Sequence, residues 1–132
     1  MILAFDTTAL SRLLDRDDQI IQIAGQQIYD HYVIPIAADA ELRFGFANGN
    51  KTVQNLENYE LFKEQFSAEV FCPNQNTSLI YAELATWAKQ HGVALSNNDI
   101  WIAATCSQLG GRLITLDGDF KHLPQVALVD IK

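Results

Sequence analysis

Residues 95–123, LSNNDIWIAATCSQLGGRLITLDGDFKHL, decide the fold. Ile100-Trp101-Ile102-Ala103-Ala104 and Cys106 make the first half apolar nearly all round, the mark of a buried helix. Asp99 opens that helix, with Ser96 or Asn97 as its cap. Gly110-Gly111 stops it. A short apolar run, 112–115, follows and reads as a strand covered on both faces. Asp117 and Asp119 then flank Gly118. The stretch therefore brings three carboxylates to the ends of buried elements.

Working outward, the rest of the chain alternates in the same way. Residues 2–5 are an apolar run ended by Asp6-Thr7-Thr8, with Thr7 or Thr8 expected to cap a helix reaching Leu14. A charged turn at 15–18 leads to a helix expected over 19–29, and 31–36 is a second strand with Pro35 near its end. Helices are expected at 37–47, stopped by Asn48-Gly49-Asn50, and at 51–66. A strand at 69–72, a helix at 77–91 and a last strand at 127–129 complete the order. Short strands alternating with helices predict an α/β sandwich with a mostly parallel sheet. With no linker or repeat, one domain over residues 1–132 is expected.

The formal net charge is −7, which argues against a partner held mainly by its phosphates, because that binding rests on Lys and Arg. A divalent cation held by several of the acids would weaken the objection. No apolar run reaches the ~20 residues of a membrane helix, and the opening MILAFDTTAL has no basic n-region, so no membrane or signal segment is expected. Cys72 and Cys106 have neither zinc nor redox spacing and read as buried free thiols, in keeping with a reducing cytoplasm. His31, His91 and His122 are scattered and read as surface or turn residues, and no serine sits in a nucleophile elbow.

Sites in parallel α/β sheets form outside the carboxyl ends of the strands. Asp6 follows the first strand, Glu41 lies in the helix after the second, Asp99 opens the buried helix, and Asp117 and Asp119 follow the strand 112–115. Singly, each has an ordinary explanation: Asp6 as a helix cap, Glu41 and Asp39 as solvated helix residues, Asp117 and Asp119 as turn formers. Together, acids on one cleft raise one another's pKa and need a counter-charge that neighbouring Lys and Arg do not supply. Oxygen-only ligands favour Mg²⁺ or Mn²⁺ over zinc, and such an ion supports phosphodiester hydrolysis without a covalent intermediate. Thr7 and Thr115 flank the site and are candidates to orient a carboxylate or a water, a cap and a strand-end residue being the plain alternatives.

Assembled in this way, the chain resembles the PIN-domain superfamily, and within it VapC-type toxin ribonucleases. The resemblance runs almost end to end. It rests on the opening strand ending in Asp6-Thr7, on Glu41-Leu42 with Gly45, and most of all on Asn98-Asp99-Ile100-Trp101-Ile102-Ala103-Ala104 with Leu113-Ile114-Thr115-Leu116-Asp117-Gly118-Asp119-Phe120. It implies a three-layer α/β/α PIN-like domain and RNA cleavage with Mg²⁺ or Mn²⁺. Asp6, Glu41 and Asp99 would be the core ligands and Asp117 the fourth acid, with Asp119 able to share or take over that role. It also implies a homodimer silenced by a cognate antitoxin, which inserts a segment beside the site, often with a basic side chain. Residues 37–66 are the expected contact region, with Phe44, Phe46, Tyr59 and Phe62 assigned to core packing. Arg12 and Arg43 are candidates to hold the RNA phosphate, with simple surface charge the alternative.

Other functions compete. A catalytically inactive PIN-like binding module would use the same acids to engage a basic partner segment. A haloacid-dehalogenase-type phosphatase needs Asp-x-Asp after the first strand, where this chain has Asp6-Thr7-Thr8. A receiver domain needs a Lys after a late strand, and the segment 112–119 ends without one.

Overall fold

A computed structural model of the chain describes residues 1–131. The apolar runs form strands and the stretches between them helices: β1 (Ile2–Phe5), α1 (Thr7–Leu14), α2 (Asp18–Ala24), β2 (His31–Pro35), α3 (Ile36–Ala47), α4 (Thr52–Phe66), β3 (Glu69–Phe71), α5 (Gln75–Gln90), α6 (Asn97–Leu109), β4 (Arg112–Ile114), a 3₁₀ turn (Gly118–His122) and β5 (Ala127–Leu128). The strands join in the order β3-β2-β1-β4-β5, and each pairing is parallel. The architecture is the expected α/β/α arrangement, with a sheet more uniformly parallel than its sequence required.

β1 lies at the centre. From it the chain moves outward through β2 and β3, then returns to place β4 on the other side. That reversal opens a crevice at the carboxyl ends of β1 and β4, where open α/β sheets bind ligands. Phe5 lies beside Ile114, and the Asp6 N–H donates to the Ile114 carbonyl at 3.2 Å. Asp6 and Thr115 therefore leave the sheet side by side.

Burial explains the order. Leu3, Ala4, Phe5, Leu113 and Ile114 are completely buried, as are Ile102, Ala103, Ala104 and Cys106 of α6. Two successive alanines let α6 sit close against its neighbours. Gly110 ends α6 in the left-handed region at φ 65°. Gly111 serves a different need: a Cβ there would stand 3.0 Å from the Ile2 carbonyl oxygen, so glycine lets β4 approach β1. Across the sheet, Phe5 meets Phe62 of α4 edge-on, with ring centroids 5.8 Å apart.

Several expectations change. α2 stops at Ala24 because Gly25 closes it, and Tyr29 is buried beyond the helix with its N–H donating to the Gln26 carbonyl at 3.1 Å. The cap of α1 is Asp6, not Thr7 or Thr8. Cys72 is exposed because it follows the edge strand β3, whereas Cys106 is buried and its thiol is pushed up to about 12 by that burial. Phe46, Tyr59 and Phe62 do pack inward, but Phe44 is 71% exposed. Asp39 is not a solvated helix residue: it is buried and accepts hydrogen bonds from the Tyr59 hydroxyl at 2.8 Å and from Arg43 Nε at 3.1 Å.

Candidate active site

Asp6 is the buried acid at the crevice. Its Oδ1 accepts the Ala9 N–H at 2.8 Å, which starts α1. Its Oδ2 accepts the hydroxyl of Thr115, just past β4. Burial pushes the Asp6 carboxyl above its ordinary range; the bonds from Thr115 and Ala9 work against that rise, and the charges of Asp99 and Asp117 add to it. Those two acids therefore share its electrostatic neighbourhood.

The other residues are placed by local structure. The Ser96 hydroxyl accepts the Asp99 N–H at 3.1 Å and opens α6, so Asp99 sits in the first turn, half-buried. Thr115 Oγ1 accepts the Asp117 N–H at 3.0 Å, while Asp117 Oδ1 accepts the Asp119 N–H at 2.9 Å and starts the 3₁₀ turn. Thr115 thus joins Asp6 to Asp117 through one oxygen. Glu41 approaches from α3, exposed, and its Oε1 accepts the Thr7 hydroxyl at 3.1 Å. The amino ends of α1 and α6 both face this group of acids, and their dipoles favour negative charge.

Asp6, Asp99, Asp117 and Thr115 are brought together, with Glu41 joined at the rim through Thr7. Asp119 is exposed in the first turn of the 3₁₀ segment. Arg12 is exposed, ion-paired to Asp17 at 3.6 Å, and lines a groove of about 780 Å³ that also takes in Thr7 and Glu41. Arg43 is turned away: it pairs with Asp39 at 3.1 Å and lies 3.7 Å from Glu60, so its charge fastens α3 to α4. Reading the sequence missed this Asp39–Arg43–Tyr59 anchor. The spacing of four between Asp39 and Arg43 was a signal for half of it.

The donor chemistry suits a hard divalent cation. Among the described residues, Asp6, Glu41, Asp99 and Asp117 form no salt bridge, so their charges have no side-chain counter-ion. Nor do three carboxylate, His or Cys groups among the described residues stand close enough to make a finished ligand cluster. An open set of oxygen donors fits Mg²⁺, which keeps several waters and takes few protein ligands.

A family model described as PIN domain matches residues 3–126. Ribonuclease VapC1 of Haemophilus influenzae (strain R2866) is 31% identical over 117 residues, 87% of this chain and 86% of that protein. The solved structure of VapBC-1 from nontypeable Haemophilus influenzae superposes with a TM-score of 0.84 at 27% identity, over 98% of both chains. That of VapBC2 from Rickettsia felis, bound to a DNA fragment from their promoter, gives 0.87 at 23% identity, again over 98% of both. The family model spans β2, β3, β4, nearly all of β1 and every acid of the crevice, and the folds coincide: this chain belongs to the PIN-domain family.

Proposed function

We propose that this protein is a ribonuclease, the toxin of a toxin–antitoxin pair, and that it hydrolyses RNA phosphodiesters with Mg²⁺ or Mn²⁺ held by Asp6, Glu41, Asp99 and Asp117. One observation carries the reading: a buried Asp6 feels the charges of Asp99 and Asp117, and among the described residues none of the three has a salt-bridge partner. The relatives named ribonuclease support the same chemistry. When bound, a divalent cation supplies charge neutralisation and Lewis-acid activation of water and phosphodiester. The chain's own residues then have defined tasks. Thr115 holds Asp6 Oδ2 in one direction, and Thr7 holds Glu41 over the crevice. The 3.0 Å bond from the Asp117 N–H to Thr115 fixes the loop that carries the fourth acid.

An antitoxin belongs to this reading because the similar solved structures are VapBC complexes. A groove of about 550 Å³ between α1–α2 and α4, lined by Leu13, Leu14, Ile21, Leu61 and Phe66, meets the 780 Å³ groove at Leu14 and Asn58. A segment apolar along its length and basic at its end would fill the first and reach Glu41 through the second. A homodimer and a cytoplasmic site of action complete the proposal. No helix among the described residues is long and apolar enough to cross a membrane.

The second reading, an inactive module that grips a basic segment, draws on the open spacing of the acids. Three measurements separate them. Expression of the chain alone is expected to arrest growth and Asp99→Asn to relieve it. RNA cleavage with Mn²⁺ is expected to fall on the order of a thousandfold in Asp6→Asn and Asp99→Asn. A folded protein that takes up no Mn²⁺ at millimolar concentration would decide for the binding module.

A further inference from the structure

The 780 Å³ groove is walled on one side by α1 and on the other by α4, and it ends at the Thr7–Glu41 pair. Its walls differ from an electrostatic RNA channel. From α1, Thr8 and Ser11, three apart on one helical face, present hydroxyls. From α4, Gln54, Asn55 and Asn58 present amides. None of these five side chains has a hydrogen-bond partner among the described residues. Only two cations, Arg12 and Lys51, line the groove, and Arg12 is already turned to Asp17. Leu42 and Phe46 add apolar surface.

The stripe of α4 that faces α1 runs through the amides of Gln54 and Asn58, turns apolar at Leu61 and ends at Gln65 in the other groove. Gln54, Asn55 and Asn58 are the amides of α4 that line the groove adjoining Glu41. A side-chain amide carries donors and an acceptor together. It can pair with two atoms of one base, as Asn and Gln do with adenine, and unpaired RNA bases are read along such edges.

On the ribonuclease reading given above, we propose that Gln54, Asn55 and Asn58 read the bases of the RNA strand next to the cut, so that α4 sets the sequence preference of cleavage. The strand is then held by base contacts more than by phosphate contacts. Two phosphate contacts in single-stranded RNA give a slope of log affinity against log salt no steeper than about −1.4.

The test is cleavage of a single-stranded RNA pool with a randomised segment, in Mn²⁺, with the new ends sequenced. The wild-type chain is expected to favour particular bases beside the cut. Gln54→Ala/Asn58→Ala and, separately, Asn55→Ala are expected to reduce that preference about tenfold. Gln90→Ala, on the distant α5, keeps it. The binding of a wild-type-preferred RNA to the Asp99→Asn protein in metal-free buffer reads the salt slope. Variants that cut with the wild-type pattern, a wild-type chain that cuts RNA without base preference, or a slope near −3 would overturn the inference and leave the ribonuclease reading standing. A wild-type chain that cuts no RNA in the pool removes the ribonuclease reading, and the inference with it.

Discussion

Two threonines hold the two sides of the acidic crevice, and their settings differ. Thr115 is buried, donates to the buried Asp6 and accepts from the Asp117 backbone. Thr7 is half-buried and donates at 3.1 Å to a Glu41 that stands in solvent. The first bond joins two adjacent strand ends whose register the sheet already sets. The second joins two helices, α1 and α3, and must hold a long flexible side chain. A hydrogen bond gains strength where water is excluded and loses it where water competes. One side of the site is therefore built into the sheet, and the other depends on how α3 is seated. The Asp39–Arg43–Tyr59 anchor does that seating from the far face of the same helix.

The contrast can be broken by experiment. Thr115→Val removes the donor to Asp6 and the acceptor of the Asp117 N–H together, while keeping the side chain's shape. Mn²⁺ affinity and RNA cleavage are expected to fall about 10- to 100-fold, as for other residues that orient a metal ligand. Thr7→Val is expected to cost less than about fivefold in the same Mn²⁺ titration, because its bond is exposed. A larger loss at Thr7 than at Thr115 would invert the account of which side is rigid.

A second contrast sets the two acids of the last loop apart. Both are exposed, but Asp117 is one of the charges felt by Asp6, whereas Asp119, in the first turn of the 3₁₀ segment, is not. Asp117→Asn is expected to lower cleavage about tenfold, and Asp119→Asn less than about twofold. Equal losses would mean that the two share the fourth position.

The smallest effect is on stability without metal. Burial raises the Asp6 pKa, so the folded chain holds that proton more tightly than the unfolded chain does. Stability then falls as pH rises from the ordinary Asp range through the raised value, and the cost is complete above it. In chelator at neutral pH, Asp6→Asn is expected to melt a few degrees higher than wild type, with the gap closing as acid protonates Asp6. Saturating Mn²⁺ should reverse the order by binding only the wild type tightly. Thermal melts across pH, with and without metal, check both signs, and a wild type more stable than the variant in chelator would refute the assignment of cause.

The acids at strand ends were legible because sheets expose their carboxyl ends and short apolar runs mark where those ends fall. The places of Asp6 after β1 and Asp117 after β4 were legible for that reason, and the cap of α6 was narrowed to Ser96 or Asn97, of which the structure uses Ser96. What stayed hidden depends on partners distant in sequence. Asp39 looked solvated because Tyr59, 20 residues away, supplies the bond that allows its burial. Arg43 looked like a phosphate ligand because it stands two residues from Glu41, while its partners Asp39 and Glu60 lie on the other side of the helix. Cys72 looked buried because a strand's place at a sheet edge is a property of the whole sheet. Phe44 looked like core because an apolar residue on a helix does not announce its direction, and only packing showed it outside.

The two oxygens of Asp6 do different work. Oδ1 starts α1 through Ala9, and Oδ2 faces Thr115 and the other acids. Asparagine caps helices as well as aspartate does. It keeps the first task and abandons the second. Folding and chemistry can therefore be uncoupled at a single atom of this chain. A copy silenced there would remain a well-formed decoy, able to occupy whatever restrains the active protein and so release active copies beside it.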